Sequence, residues 1–291
     1  MKEFVIFEKG KQKEFMNNAK KNSNLNWNNL AHKIEKNRST LFLYLEEKCK
    51  MPYLTFLNLV ELSQMDKSKI SYSLIKISNL PVKITRPKIS TELAEFLGIL
   101  AGDGYISSKK PYEVSVTCHK VLDREFIANN VKILFQELFK LNSKILENKK
   151  NNGIKAKVYS KELIIYLNKE FGQPLGKKKG RLKIPSQIKN NNNLLKSYIR
   201  GLFDTDGSFY GRRNNEPVIE IISKDKRYAQ EVHKELNRLN FRANLNGKNI
   251  SIYRKEQIDK FFNDIKPNNK KHLLKYETFK KYGIIPKNVR R

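Results

Sequence analysis

Two aspartates stand out because each closes a short apolar run in the same way. Asp103 ends Gly98-Ile-Leu-Ala-Gly-Asp103-Gly104, and Asp206 ends Gly201-Leu-Phe-Asp-Thr-Asp206-Gly207. The residues before each aspartate are apolar or small nearly all round a helix, so both runs read as buried helices. Gly98, Ala101 and Gly102 in the first run, and Gly201 and Thr205 in the second, are small enough for close helix-to-helix approach. Gly104 and Gly207 are expected to end the helices in the left-handed conformation. Matched carboxylates are hard oxygen donors, the kind that hold Mg²⁺ beside phosphate. A lone Asp-Gly would read as a helix-terminal cap; the duplication is what argues for chemistry.

The elements that must position these aspartates are themselves repeated. After each Asp-Gly come two strand-like segments, turning at Ser107 to Pro111 and at Gly211 to Pro217. An amphipathic helix follows, Asp123 to Lys140 or Asp225 to Leu239. A second hairpin turns at Asn151-Asn152-Gly153 or at Asn246-Gly247, and a helix closes each copy, Lys161 to Glu170 or Glu256 to Asp264. The predicted fold class is α+β, with two tandem αββαββα half-domains at 92–190 and 191–291. Two such copies in one chain imply a pseudo-twofold axis.

Bulk properties narrow the partner. Lys+Arg 59 against Asp+Glu 29 gives a net charge of +30 over 291 residues, an excess that a polyanion would neutralise. Hydrophobic residues make up 39%, enough for a packed core. No apolar run approaches a membrane span, and Met-Lys-Glu-Phe lacks the regions of a signal peptide. With only Cys49 and Cys118, neither a disulfide framework nor a cysteine-rich zinc site is expected. An intracellular, cytoplasmic protein associated with nucleic acid is the economical reading.

The two Asp-Gly motifs and the repeat behind them resemble the LAGLIDADG homing-endonuclease family over roughly residues 92–275. In that family the two motif helices pack side by side along the pseudo-twofold axis, and the likeness implies saddle-like antiparallel sheets. The resemblance therefore implies that Asp103 and Asp206 sit together. They would repel each other and face the negative ends of two helix dipoles, a conflict that a divalent cation relieves. Mg²⁺ or another divalent cation such as Mn²⁺ is the expected cofactor, with Gly102 and Thr205 assigned to the metal beside the aspartates. Metal-assisted hydrolysis of one phosphodiester on each strand is the implied reaction. The family also places a basic residue after the last helix of each half. The best matches are Lys183, in Arg181-Leu-Lys-Ile-Pro185, and Lys271, in Asn269-Lys-Lys-His272. One departure is visible: the motif's earlier acidic position is Ala101 in the first copy and Asp204 in the second.

Strand alternation supplies a DNA-facing surface. Lys155, Lys157 and Tyr159 oppose Ile154, Ala156 and Val158; Ser115, Thr117 and His119 oppose Val114, Val116 and Cys118. In the second copy Arg242, Asn244 and Asn246 oppose Ala243 and Leu245. Such ribbons suit the major groove, and hairpin-tip Lys109, Lys110, Arg212 and Arg213 suit phosphates or guanine edges. His119 and His272 read as DNA-contacting or surface residues rather than metal ligands.

Residues 1–75 read as a small all-α domain. Trp27, Leu30, Ala31 and Ile34 share a helix face, a polar break follows, and Ser39 is the expected N-cap of a second helix through Glu46. Pro52 then opens a helix carrying Tyr53, Phe56, Leu57 and Val60 on one face. This stretch resembles the phage-repressor type of helix-turn-helix, a DNA-binding domain. Residues 76–91, with Pro81 and Pro87, read as an extended linker. The expected protein is a monomeric, site-specific double-strand DNA endonuclease, intron-encoded or free-standing. Met1 and the ending Asn288-Val-Arg-Arg291 lack the residues of protein splicing. The rival expectations are an RNA maturase clamping an intron RNA and a non-catalytic transcriptional regulator.

Overall fold

The computed structural model describes residues 2–77, 83–148 and 152–287. The chain forms two compact units, Met1–Leu80 and Pro81–Arg291. No helix among the described residues is long and apolar enough to cross a membrane.

The first unit corrects the all-α expectation. Strand β1 (Lys2–Ile6) precedes helices α1 (Lys11–Asn22), α2 (Trp27–Lys33) and α3 (Arg38–Leu45). The short strand β2 (Met51–Pro52), helix α4 (Tyr53–Leu62) and strand β3 (Ser73–Ile77) complete it. The strands form an antiparallel sheet in the order β2-β1-β3, with Phe4 opposite Ile75. Five-residue strands at both ends of the unit carry too little alternation to be seen alone; pairing over about seventy residues makes them a sheet. β3 also claims residues 76 and 77 from the expected linker, and residues 78–82 of that linker lie outside the described residues.

α2 and α3 are joined by a four-residue turn, which the Lys36 amide closes on the Ala31 carbonyl at 2.9 Å. Leu30, Ala31, Ile34, Leu41 and Tyr44 bury against Phe15, Met16 and Phe56. Asn26 caps α2 by accepting from the Asn29 amide. Asn37, not Ser39, holds the N-cap position of α3, so Arg38 and Ser39 lie exposed in its first turn.

The second unit carries the repeat. Its first half runs α5 (Thr91–Gly102), β4 (Gly104–Ile106), β5 (Glu113–His119), then α6 (Arg124–Phe126) and α7 (Lys132–Phe139) joined by a π-turn at Ile127–Val131. β6 (Lys144–Glu147), β7 (Gly153–Tyr159) and α8 (Lys161–Phe171) complete that half. The short helix α9 (Ser186–Lys189) leads into the second half: α10 (Asn192–Asp206), β8 (Gly207–Gly211), β9 (Pro217–Ile222), α11 (Lys226–Arg238), β10 (Ala243–Asn246), β11 (Asn249–Ile252) and α12 (Lys255–Ile265). A further helix, α13 (Lys270–Tyr282), has no helical counterpart in the first half. Each half builds a four-stranded antiparallel sheet with the same order, β4-β5-β7-β6 and β8-β9-β11-β10. The αββαββα order thus occurs twice. The Asn151 end of one expected hairpin turn lies outside the described residues.

One continuous apolar core joins the halves, with Leu97, Leu100, Tyr198, Leu202 and Phe203 all buried. The strand alternation holds: Ile154, Ala156 and Val158 are buried while their neighbours are not. At this depth the backbones of α5 and α10 must almost touch. A Cβ on Gly98 would lie 2.0 Å from the Tyr198 carbonyl oxygen, and one on Gly201 would lie 2.1 Å from the Glu95 carbonyl oxygen. Only glycine fits either crossing point.

Candidate active site

α5 and α10 run together and end together, which delivers Asp103 and Asp206 to the same place. A Cβ on Gly102 would strike Thr205 Oγ1 and come within 3.4 Å of the Asp206 carboxyl carbon. Thr205 is therefore a packing residue, its hydroxyl donating back to the Gly201 and Leu202 carbonyls. Gly104 and Gly207 do not adopt the expected left-handed conformation; Gly207 is extended, at φ −90° and ψ 159°. Each instead starts a strand that doubles back over its own helix. A Cβ would meet Leu100 Cα at 2.4 Å or the Phe203 oxygen at 2.4 Å.

Both carboxylates are costly to ionise. Burial pushes Asp206 up to about 6, and the charge of Asp103 adds to the rise. Asp103 is raised as well, chiefly by burial and also by Asp123, against a hydrogen bond from the Cys118 thiol and the charges of Lys271 and Lys178. Burial drives the thiol of Cys118 well above its ordinary range, and the charges of Asp103 and Asp123 add to the rise.

Two lysines answer the two aspartates, and one is not the residue expected. Lys183 is exposed, whereas Lys178, five residues earlier, is inserted at the end of α5. Its ammonium donates to the Leu100 carbonyl at 3.1 Å, to Ala101 at 3.0 Å and to Gly102. A cation here meets the negative end of the helix dipole and caps its free carbonyls. Burial holds the Lys178 pKa below its ordinary value, while Asp206 and then Asp103 pull it back up. The loop has no periodicity to mark which of Lys177, Lys178, Lys179 and Lys183 turns inward, so sequence alone could not choose. Lys271 is ion-paired to Asp123 at 2.9 Å and half-buried, and its charge opposes the rise of both Asp103 and Asp206.

Asp204, the acidic residue that the first motif lacks, does structural work. It accepts from the Asn268 and Asn269 amides at 2.8 and 3.0 Å, which fixes the loop leading to Lys271. Full burial pushes its pKa up to about 7 in spite of those two donors. Arg200 pairs with buried Glu95 across the helix crossing at 3.1 Å and donates to the Ile265 carbonyl. His272 is no surface residue. It lies against the Phe203 ring at 4.4 Å between centroids, and burial, Lys271 and Lys275 hold its pKa well below the usual range.

Among the described residues no group of three or more His, Cys, Asp or Glu side chains gathers as a ready-made cation cage. What the site offers is two carboxylates that repel each other. That donor set fits a hard divalent cation whose other ligands are phosphate oxygens and water. The Gly102 carbonyl fits the metal less well than expected, because the Lys178 ammonium already occupies it.

The expected DNA face is partly available. Lys109, Lys110, Thr117, His119, Arg242, Asn244 and Asn246 are exposed, as are Arg212 and Arg213. The Arg212 guanidinium lies over the Tyr253 ring at 5.4 Å, and the Lys157 ammonium lies over Tyr159 at 5.1 Å. Ser115 is not available. Its hydroxyl donates to Glu113 at 2.7 Å and is fully covered, since it lies on an inner strand between Tyr105 and Lys157. Lys155 is half-neutralised by the same Glu113, at 3.2 Å.

Comparison with known proteins agrees with this architecture. Residues 94–165 match the profile of the WhiA LAGLIDADG-like domain, and residues 193–266 match that of a LAGLIDADG-like domain. Each half of the second unit therefore matches a LAGLIDADG-like domain, and the two stand in tandem. A solved structure of the homing endonuclease I-DmoI in complex with DNA and Mn is 23% identical, with TM-score 0.44, over 61% of this chain and 97% of that one. The N-terminal LAGLIDADG domain of WhiA is 19% identical, with TM-score 0.43, over 63% and 88%. Among curated proteins, the glutamine–fructose-6-phosphate aminotransferase [isomerizing] of Methanocaldococcus jannaschii is 28% identical over 204 residues. That stretch is 69% of this chain but only 17% of the aminotransferase, so the chain spans about a sixth of that relative's length.

Proposed function

We propose that this protein is a site-specific, divalent-metal-dependent endonuclease acting on double-stranded DNA as a monomer. The observation that carries the reading is the pairing of Asp103 with Asp206 at the joined ends of α5 and α10, with a lysine brought to each. A scaffold that only bound DNA would have no use for two buried carboxylates raised by their own surroundings. Asp103 and Asp206 would hold the cation, which when bound supplies Lewis acidity and lowers the pKa of a ligated water. The chain's own cations do the rest. Lys178 and Lys271 keep protons at Nζ within reach of the site, where they stabilise the charge developing on the phosphate. Attack by water at phosphorus releases one sugar oxygen, which leaves protonated, on each strand. Phosphate affinity comes from the +30 excess and from the exposed arginines and lysines of the hairpins. α3 of the first unit, with Arg38 and Ser39 exposed at its start, would enter a major groove as a recognition helix.

The test begins with duplexes selected from a randomised library for binding in Ca²⁺. These are then incubated with Mg²⁺, with Mn²⁺, or with EDTA. Double-strand scission with either metal and none with EDTA is expected. Tight, selective binding with no scission under any metal would instead assign the chain to a DNA-binding regulator. Selective retention of structured intron RNA over duplex DNA would assign it to RNA.

A further inference from the structure

Each lysine lies on a segment that is tied to the opposite half, although the Lys178 ammonium itself also rests on the α5 carbonyls of its own half. Lys178 belongs to the loop after α8, in the first half, yet that loop is tied to the second. The Gly180 amide donates to Asp225 Oδ2 at 2.6 Å. Lys271 belongs to the second half, yet its ammonium and the Asn269 side-chain amide both reach Asp123 Oδ1 of the first, at 2.9 and 2.7 Å. Asp123 and Asp225 are matching residues. Each follows the second strand of its half and opens the helix behind the sheet: Asp225 accepts from the Arg227 and Tyr228 amides, and Asp123 accepts from the His119 amide at 3.0 Å. Each aspartate therefore uses one oxygen locally and the other across the molecule.

We propose that Asp123 and Asp225 are reciprocal positioning residues, each holding the other half's lysine at the catalytic centre. The proposal rests on the endonuclease reading for its catalytic consequence, though not for the tether itself. The charges follow the same crossing. Burial holds the Lys178 pKa down and Asp206 opposes this more than Asp103 does, while Lys271 acts on Asp103 ahead of Lys178. The tethers also differ. The loop leading to Lys271 has a second anchor, because Asp204 takes the Asn268 and Asn269 amides. At the equivalent place in the first half stands Ala101, which has nothing to offer a loop amide. Lys178 has a different second hold, the α5 carbonyls that its ammonium meets.

Asparagine separates the two duties of each aspartate. At Asp225 it keeps the helix cap with its one acceptor oxygen and loses the tether; at Asp123, whose local bond comes from the His119 amide, it removes the charge that pairs with Lys271. The experiment compares full-length Asp225→Asn and Asp123→Asn with the unaltered protein in two measurements. The first is acetylation of each lysine followed by mass spectrometry. Asp225→Asn should label Lys178 about tenfold faster with Lys271 unchanged, the size expected for losing one charge-assisted hydrogen bond. Asp123→Asn should expose Lys271 likewise and leave Lys178 alone. Asp225→Ser, which caps but is too short to reach Gly180, should label like Asp225→Asn. The second measurement follows the two strands of a selected duplex with separate end labels. Each variant should slow one strand, and the two variants should slow opposite strands. Unchanged labelling of Lys178 in both Asp225 variants would overturn the proposal, as would equal slowing of both strands by each variant. If the unaltered protein cuts neither strand, the endonuclease reading fails, and the labelling result still decides the tether.

Discussion

At the scale of single residues, the site is defined by charges that the fold makes expensive. Asp103→Asn and Asp206→Asn should each abolish double-strand cleavage while leaving the dissociation constant for DNA within a few-fold; normal scission by either variant would remove it from the centre. Lys178→Met should slow cleavage by about a hundredfold or more, the scale of losing one transition-state donor, whereas Lys183→Met should change little. Asp206, pushed up to about 6, must lose its proton to take a cation. Divalent-metal affinity, read by calorimetry, is therefore expected to fall steeply as pH drops through about 6. An ordinary carboxylate would hold its affinity down to about pH 4. Asp103 and Asp206 are legible from sequence because a motif repeats around them. Lys178 is not, because the loop that aims it has no repeating pattern, and the inward turn is set by tertiary bonds at Gly176 and Gly180.

At the scale of elements, two helices with glycines at their crossing determine where the carboxylates meet. Gly201→Ala would drive a Cβ into the Glu95 carbonyl of the partner helix, which is backbone and cannot move aside. Destabilisation of about 3 kcal/mol is expected, the upper part of the overpacking range, and urea unfolding would measure it. The smallness of these residues was readable as a sign of close packing; which carbonyl each one faces was not. α13 offers a second test through His272, whose folded pKa lies well below the ordinary 6.5. The unfolded chain binds a proton at this residue below about 6.5 and the folded chain does not, so stability is lost as pH falls below that value. Relative to His272→Phe, the unaltered protein should lose up to about 1.4 kcal/mol per pH unit there. A pH-independent difference between the two would contradict this. Its burial escaped sequence reasoning because α13 lies outside the repeat and has no counterpart to compare.

At the scale of the whole molecule, a net charge of +30 sets the salt dependence of binding. If six to ten phosphates are neutralised, affinity should drop by roughly a thousandfold to a hundred-thousandfold between 50 and 200 mM salt. A flat response would mean that the charge does not face DNA. Removing residues 1–75 should weaken binding or shorten the footprint, with metal-dependent scission retained, because the aspartates and both lysines all lie in the second unit. An unchanged footprint would exclude α3 as a reading helix. The α2-turn-α3 pair was visible in the spacing of Leu30, Ala31, Ile34 and Leu41. The sheet that closes the unit was hidden, since β1 and β3 pair across nearly the whole of it.

The sequence by itself determined the repeated αββαββα order, the duplicated aspartates at the helix ends, the close helix crossing and the large excess of positive charge. All of these are written in local periodicity or in duplication, which survive without coordinates. The tertiary structure decided which lysines lie beside the paired aspartates, what Asp204 holds, and that Asp123 and Asp225 each bond across to the other half. Those answers depend on bonds between residues 45 to 146 positions apart in the chain. No window of sequence contains both ends of such a bond, and only folding brings the two half-domains close enough to exchange them.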